Sequence, residues 1–277
     1  MRSGAGSGQL VTGCSETRSH MSALPLKNGY TTFDPRLDRV PQFDERSRNF
    51  PIRALVAERA PLRSAGWACP SWLDQGREGA CVGFAWSHEL IATPVQVPGV
   101  DDGFARKVYR EAQRLDEWPG ENYEGTSVLA GAKAVVARGF MEEYRWAFGV
   151  DDVLRTLGYF GPVVIGVNWY DSMMEPAPNG LLEVSEGGRP GGHAILVRGV
   201  SFKARLNGHN GTIPVVRLRN SWGRDWGVNG DCYLRIEDLE KLLEDAGEAC
   251  VPVTRKAGPL TAPEADHDLL RETGEVD

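Results

Sequence analysis

Between Leu73 and Trp86 the chain reads LDQGREGACVGFAW, a polar, glycine-rich turn that runs straight into a cysteine. Cys81 in turn opens an apolar segment with a helical pattern that continues to about Ala92. Gly79 and Ala80 let the backbone turn tightly, which sets Cys81 at the helix N-terminus. There the macrodipole and the unpaired N–H groups favour negative charge, so the thiol pKa falls and thiolate is populated. The competing reading is a small buried packing residue, the commoner role of a lone cysteine. A nucleophile also needs a base, and the search for one separates the two.

His88 lies seven residues beyond Cys81 on the same helix face but roughly 10 Å along the axis, too far for a hydrogen bond. His193 is the better candidate. It opens a β-branched run in the stretch GGHAILVRGV, and the glycines before it allow a substrate or neighbouring chain to approach closely. Downstream, RNSWGRDWG places Asn220 at a strand end, where its amide can accept from one imidazole nitrogen and fix the ring's tautomer. Trp222 and Trp226 beside it can shield that bond from water. Gln75, six residues before Cys81, can offer a side-chain N–H to a developing oxyanion beside the Cys81 backbone N–H.

These residues carry a resemblance. The order Gln–Cys–His–Asn followed by NSWG resembles a papain-like cysteine peptidase, most of all the compact bacterial and phage branch. The resemblance covers roughly residues 66–252. It implies an α+β, two-lobe fold: a helical lobe and an antiparallel, β-barrel-like lobe with the active-site cleft between them. It assigns Cys81 as nucleophile, His193 as general base and acid, Asn220 as the orienting residue and Gln75 as the oxyanion donor.

The chain also departs from that pattern. The signature C-G-[SA]-C-[WY] becomes Glu78-Gly79-Ala80-Cys81-Val82, so the disulfide that the first cysteine makes in the family is absent. His193 follows Cys81 by fewer residues than the roughly 130–150 of the family signature, which implies a trimmed helical lobe. The family's Cys-Gly-Gly segment has no counterpart; Gly125-Thr126-Ser127 stands in that region.

Around this centre the chain divides into four parts. Residues 1–20 are small, polar and glycine-rich and read as a disordered leader; without an apolar run before it, Cys14 is no lipidation site. Residues 21–65 carry scattered prolines among charges. They read as an extended arm strapping the lobes, and less well as a short pro-segment, because they lack a long helical pattern. Residues 66–255 form the peptidase domain, with a helical lobe over about 66–145 and a β lobe over about 146–255. Residues 256–277 read as a polar tail.

Helices are expected over 81–92, over 104–117, and from a Thr126 or Ser127 cap to Ala137, where Gly139 stops the last. Strands are expected near 162–167, 193–200, 215–219 and 231–236, with a hairpin tip between the second and third of these.

Composition bounds the function. A net charge of −7 and no long basic run argue against nucleic acid as a partner, and no apolar run is long enough to span a membrane. Five widely spaced cysteines, without a CxxC pair or a signal peptide, fit free thiols in a reducing compartment, hence a cytoplasmic protein. Cys69, Cys232 and Cys250 read as structural. No metal or cofactor is expected. The expected activity is hydrolysis of peptide bonds through an acyl-thioester, acting on a peptide or protein substrate. The alternatives are the same triad acting on a non-protein amide such as cell-wall peptide, or a catalytically silent binding or assembly module.

Overall fold

A computed structural model describes residues 24–26, 31–56, 59–118, 124–185, 188 and 190–256. The leader with Cys14, the tail beyond Lys256 and most of the 119–125 loop lie outside the described residues.

Three helices occupy the first half: α1 (Cys81–Ile91), α2 (Asp102–Leu115) and α3 (Val128–Ala137). Each start has a local cause. Asp101 caps α2 by accepting from the Phe104 amide at 2.7 Å, and Ser127 caps α3 by accepting from Ala130 at 3.0 Å. Gly139, with φ +79°, supplies the left-handed turn after α3. Every residue of α1 is buried. Its Gly83 makes this possible, since a Cβ there would lie 2.4 Å from the Ala105 carbonyl of α2. The two backbones therefore pack without a side chain between them.

The short strands β1 (Leu24–Pro25) and β2 (Thr31–Thr32) pair with each other. A seven-stranded antiparallel sheet is built from β3 (Ala65–Gly66), β4 (Met141–Trp146), β5 (Val163–Tyr170), β6 (Pro190–Ala204), β7 (Ile213–Arg219), β8 (Asp231–Arg235) and β9 (Glu248–Arg255). The main order is β4-β9-β5-β6-β7-β8, and β3 joins the far end of β6. Helices α4 (Val150–Tyr159) and α5 (Ile236–Glu244) pack on it.

Alternation along β6 divides the core in two. Ala194 and Leu196 point into the apolar cluster around α1, α2 and α3. Ile195 and Val197 point into a second cluster with Trp169, Leu157 and Leu239. This is the α+β, two-lobe arrangement, with one side of the sheet facing the helices. The lobes are not sequential along the chain: β4 reaches across to β9, and α4 and α5 follow the first strands.

Residues 31–56 are mostly irregular, apart from β2 and two 3₁₀ turns at Glu45–Asn49 and Ile52–Ala54. Among the described residues no helix is long and apolar enough to cross a membrane, and no group of three His, Cys, Asp or Glu side chains could hold a metal ion.

Candidate active site

The loop before α1 is pinned from two sides. The Gln75 amide donates to the Ser221 carbonyl at 2.9 Å, and Asp74 forms a bridge with Trp222. Glu78 pairs with Arg106 and Arg110 of α2, each at 2.8 Å. Gly76 takes the left-handed turn at φ +62°. Cys81 thus opens α1 against β6, where its Sγ accepts from the Ala194 amide at 3.3 Å.

One residue earlier on β6, His193 Nε2 lies 2.9 Å from Asn220 Oδ1, which also accepts from the Ser221 amide at 2.8 Å. An amide oxygen can only accept, so the ring proton sits on Nε2 and Nδ1 is left with a lone pair. Nδ1 is buried without a hydrogen-bond partner. The His193 ring is fully buried, between Trp169 at 4.8 Å and Trp222 at 5.2 Å. Trp226 meets Trp222 edge to face at 5.2 Å, on from the His193 ring. Trp169, hidden in the apolar run of β5, is the shielding ring that sequence reasoning missed.

Gln75, Cys81, His193 and Asn220 therefore meet in one place. His88 does not join them: it is buried, accepts from the Leu73 amide at 3.2 Å, and burial holds its pKa down to about 3. Cys69, Cys81, Cys232 and Cys250 are all free and buried.

The cleft is occupied by the chain's own arm. Cys81 Sγ donates to Asp38 Oδ1 at 2.8 Å. On one side of the cleft Thr126 donates to the Asp38 carbonyl at 3.3 Å and accepts from Val40 at 2.9 Å; on the other, the Arg39 amide donates to the Gly192 carbonyl at 3.1 Å. Residues 38–40 are thus paired by backbone on both walls, as a bound peptide would be.

Gly191 and Gly192 admit this approach. A Cβ on Gly191 would lie 2.7 Å from Leu37 Cδ1, and one on Gly192 would lie 1.8 Å from the Arg39 carbonyl oxygen. Gly79 serves the same purpose as well as the tight turn expected of it: a Cβ there would meet the Pro35 carbonyl at 2.8 Å, and the Ala80 amide donates to the Glu78 carbonyl at 3.0 Å around it. Gln75 Nε2 donates to the Glu78 carbonyl at 2.8 Å and to the Arg36 carbonyl of the arm at 3.1 Å, while its Oε1 accepts from Ser221 Oγ at 2.6 Å. The Arg36 guanidinium lies 4.1 Å above the Trp222 ring.

This occupancy reverses the lowered thiol pKa expected of Cys81 at a helix N-terminus. Burial, then the Asp38 carboxylate beside it, pushes the Cys81 thiol well above its usual range. Burial pulls His193 down to about 4, with the bond to Asn220 opposing and the Arg36 charge assisting. Asp38 itself rises to about 7, chiefly through burial, partly offset by the hydrogen bond from Cys81. With the arm in place, thiol and imidazole are both neutral.

No family model matches the chain. A stretch of 89 residues, 31% of the chain, is 28% identical to mouse cathepsin O, and the same length is 28% identical to human cathepsin O. The match spans about a quarter of those relatives' length. Among solved structures, xylellain, a cysteine protease from Xylella fastidiosa, superposes with a TM-score of 0.59 at 18% identity, over 80% of this chain and 97% of that one.

The chain has the papain-like cysteine protease fold. This papain-like fold also aligns with Amb a 11, a ragweed pollen cysteine protease in its proform, at TM-score 0.53 and 15% identity, covering 73% and 68% of the two chains. Procathepsin L2 of Tenebrio molitor larval midgut aligns at TM-score 0.51 and 15% identity, covering 79% of each. At the position where the family signature has a cysteine, three residues before Cys81, the chain carries Glu78, which makes ion pairs to α2.

Proposed function

We propose that this chain is a cysteine peptidase held latent by residues 31–42. The observation that carries the reading is the meeting of Cys81 at the start of α1 with a His193–Asn220 pair under two tryptophans, in a cleft whose walls already pair with a peptide strand.

Once the arm leaves, Cys81 loses the Asp38 charge and its cover, and His193 Nδ1 is free to take the thiol proton. The thiolate attacks the substrate carbonyl, and the oxyanion is met by Gln75 Nε2 and the Cys81 backbone N–H. The His193 imidazolium gives its proton to the leaving amine as the C–N bond breaks. Water, deprotonated by the same ring, then opens the thioester and returns the thiol. Asn220 keeps the ring oriented throughout. Two of the structural relatives are themselves proforms by description, which agrees with a latent state.

The reading also refines the expectation for the arm, which both straps the lobes and blocks the cleft. The test uses the full chain with Leu37→Asp or Arg39→Ala, changes confined to buried side chains of the arm, to loosen it. Fluorogenic peptides should be cleaved by these variants and not when Cys81→Ala is added. Persistent inactivity of loosened chains, with Cys81 freely alkylated, would point to a silent binding module.

A further inference from the structure

Next to Asp38, the residue that meets the nucleophile, the arm sends Arg39 into a pocket. Its side chain is 1% exposed. The guanidinium donates from Nε and Nη2 to Glu248 Oε1, at 3.0 and 2.9 Å, and from Nη2 to the Ala246 carbonyl at 2.9 Å. Three features show that this pocket is built for a long basic side chain.

Gly166 interrupts an otherwise large-residue strand. A Cβ there would lie 2.6 Å from Arg39 Nε and 3.0 Å from Glu248 Oε1, so only glycine leaves the passage open. Ala246 holds φ +54°, an unusual conformation for a residue with a Cβ, and thereby aims its carbonyl at the guanidinium. Glu248, on the first residue of β9, sits at the end of the passage with burial pushing its carboxyl pKa up, opposed mainly by Arg39. A carboxylate so placed is costly without a cation beside it. When the arm withdraws, Glu248 faces an empty, arginine-shaped space within one residue of the nucleophile. Arg39 leaves its own Nη1 unpaired, so it fills the pocket without saturating it.

We infer that the Arg39 pocket is the principal selectivity site of the peptidase, that it takes an arginine side chain of the substrate beside the scissile bond, and that Glu248 determines the choice. This rests on the peptidase reading above. The arm then inhibits by presenting the very side chain the cleft selects, in a peptide that places Asp38 rather than a scissile carbonyl at the thiol.

The test separates binding from turnover. In the full chain carrying Arg39→Ala and Cys81→Ser, fluorescence anisotropy measures binding of labelled tetrapeptide amides that differ only in Arg, Leu or Glu at one position. The arginine peptide should bind about tenfold or more tightly than the leucine one, as a desolvated charge pair allows. Adding Glu248→Gln should erase that preference, and Glu248→Lys should turn it towards the glutamate peptide. Equal affinities, or none, overturn the pocket assignment, because Glu248 would then serve only to anchor the arm. In parallel, kcat/KM for the matching fluorogenic peptides is measured with Cys81 intact and Arg39→Ala. Selective binding without hydrolysis overturns the peptidase reading and leaves the pocket; hydrolysis without selectivity does the reverse.

Discussion

At the scale of single residues, the charge on Asp38 sets how firmly the arm closes the site. Exposed, its carboxyl would ionise in the ordinary range; docked, burial raises it to about 7. Docking therefore takes up a proton between those two values. The folded-state pKa is the raised one, so docking is strongest in acid and weakens by up to about tenfold per pH unit as pH climbs towards 7, then levels off. The groups around Asp38 are Cys81, Tyr109 and Glu124; the Glu124 charge raises it further, and the hydrogen bonds of Cys81 and Tyr109 oppose. Hydrogen-exchange protection of the Arg39 and Val40 amides, corrected for intrinsic rates, should fall between pH 5 and 7 in the wild type and stay flat in Asp38→Asn. Superimposable profiles would remove Asp38 as the sensor. In a chain loosened by Arg39→Ala, His193→Ala should lower kcat/KM by roughly 10²–10⁴-fold, the usual worth of a general base. Gln75→Ala should lower kcat by roughly 10²–10³-fold, as loss of one oxyanion donor does. A Gln75 variant of unchanged kcat would leave the oxyanion to backbone groups alone.

Among the elements, the mouth of β6 is where arm and strand are fitted to each other. Gly192 is extended backbone that tolerates alanine on its own account, yet the added Cβ would stand 1.8 Å from the Arg39 carbonyl. Gly192→Ala should therefore expel residues 38–40 while keeping the sheet, and Cys81 alkylation should quicken about tenfold or more, the factor a 1.4 kcal/mol clash brings. Unchanged labelling with an unchanged melting temperature would mean the arm docks some other way. The same strand shows what a sequence reveals. The GGHA motif and its β-branched run were legible because periodicity and glycine placement are local. So were α1, α2 and α3, through their apolar spacing and caps. The strand β4 was not, because MEEYRW is a half-exposed edge strand whose charges hide its pairing with β9. Nor was β9, where Pro252 marks down a strand that it in fact joins at the β4 side. Asp38 and Glu248 escaped because their meaning lies in contacts across long stretches of chain. No local pattern says that an aspartate in DPRLDRV will lie on the thiol, or that a glutamate entering β9 will end a pocket.

On the scale of the whole molecule, a buried charge cluster ties the sheet to the segment that enters the active-site loop. Asp231, at the start of β8 and wholly buried, accepts from Arg198 of β6 at 2.7 Å and from Arg217 and Arg219 of β7 at 2.8 and 2.5 Å. Two of these arginines reach onward. Arg198 donates to the Trp67 carbonyl and Arg219 to the Ser71 carbonyl, both at 3.0 Å, on the segment leading into the loop that positions Gln75 and Cys81. Burial alone would raise the Asp231 carboxyl; the three guanidiniums outweigh it and hold the pKa well below the usual carboxylate range. The sign follows: the stabilisation is fully present above the ordinary carboxyl pKa and is lost as pH falls below it. Asp231→Asn keeps the shape but leaves three buried cations without their anion, a change worth about 3–5 kcal/mol. For a domain of this size that is a fall of roughly 10 °C in melting temperature. Because the same arginines hold residues 67–71, the variant should also lose turnover in the arm-loosened background, since displacement of a reacting group by about 1 Å costs on the order of 10²-fold. The two effects are read separately, by calorimetry at neutral pH and by kcat well below the lowered melting point. A variant that melts early but cleaves at the parental rate would show that the cluster stabilises the sheet and has no part in placing Cys81.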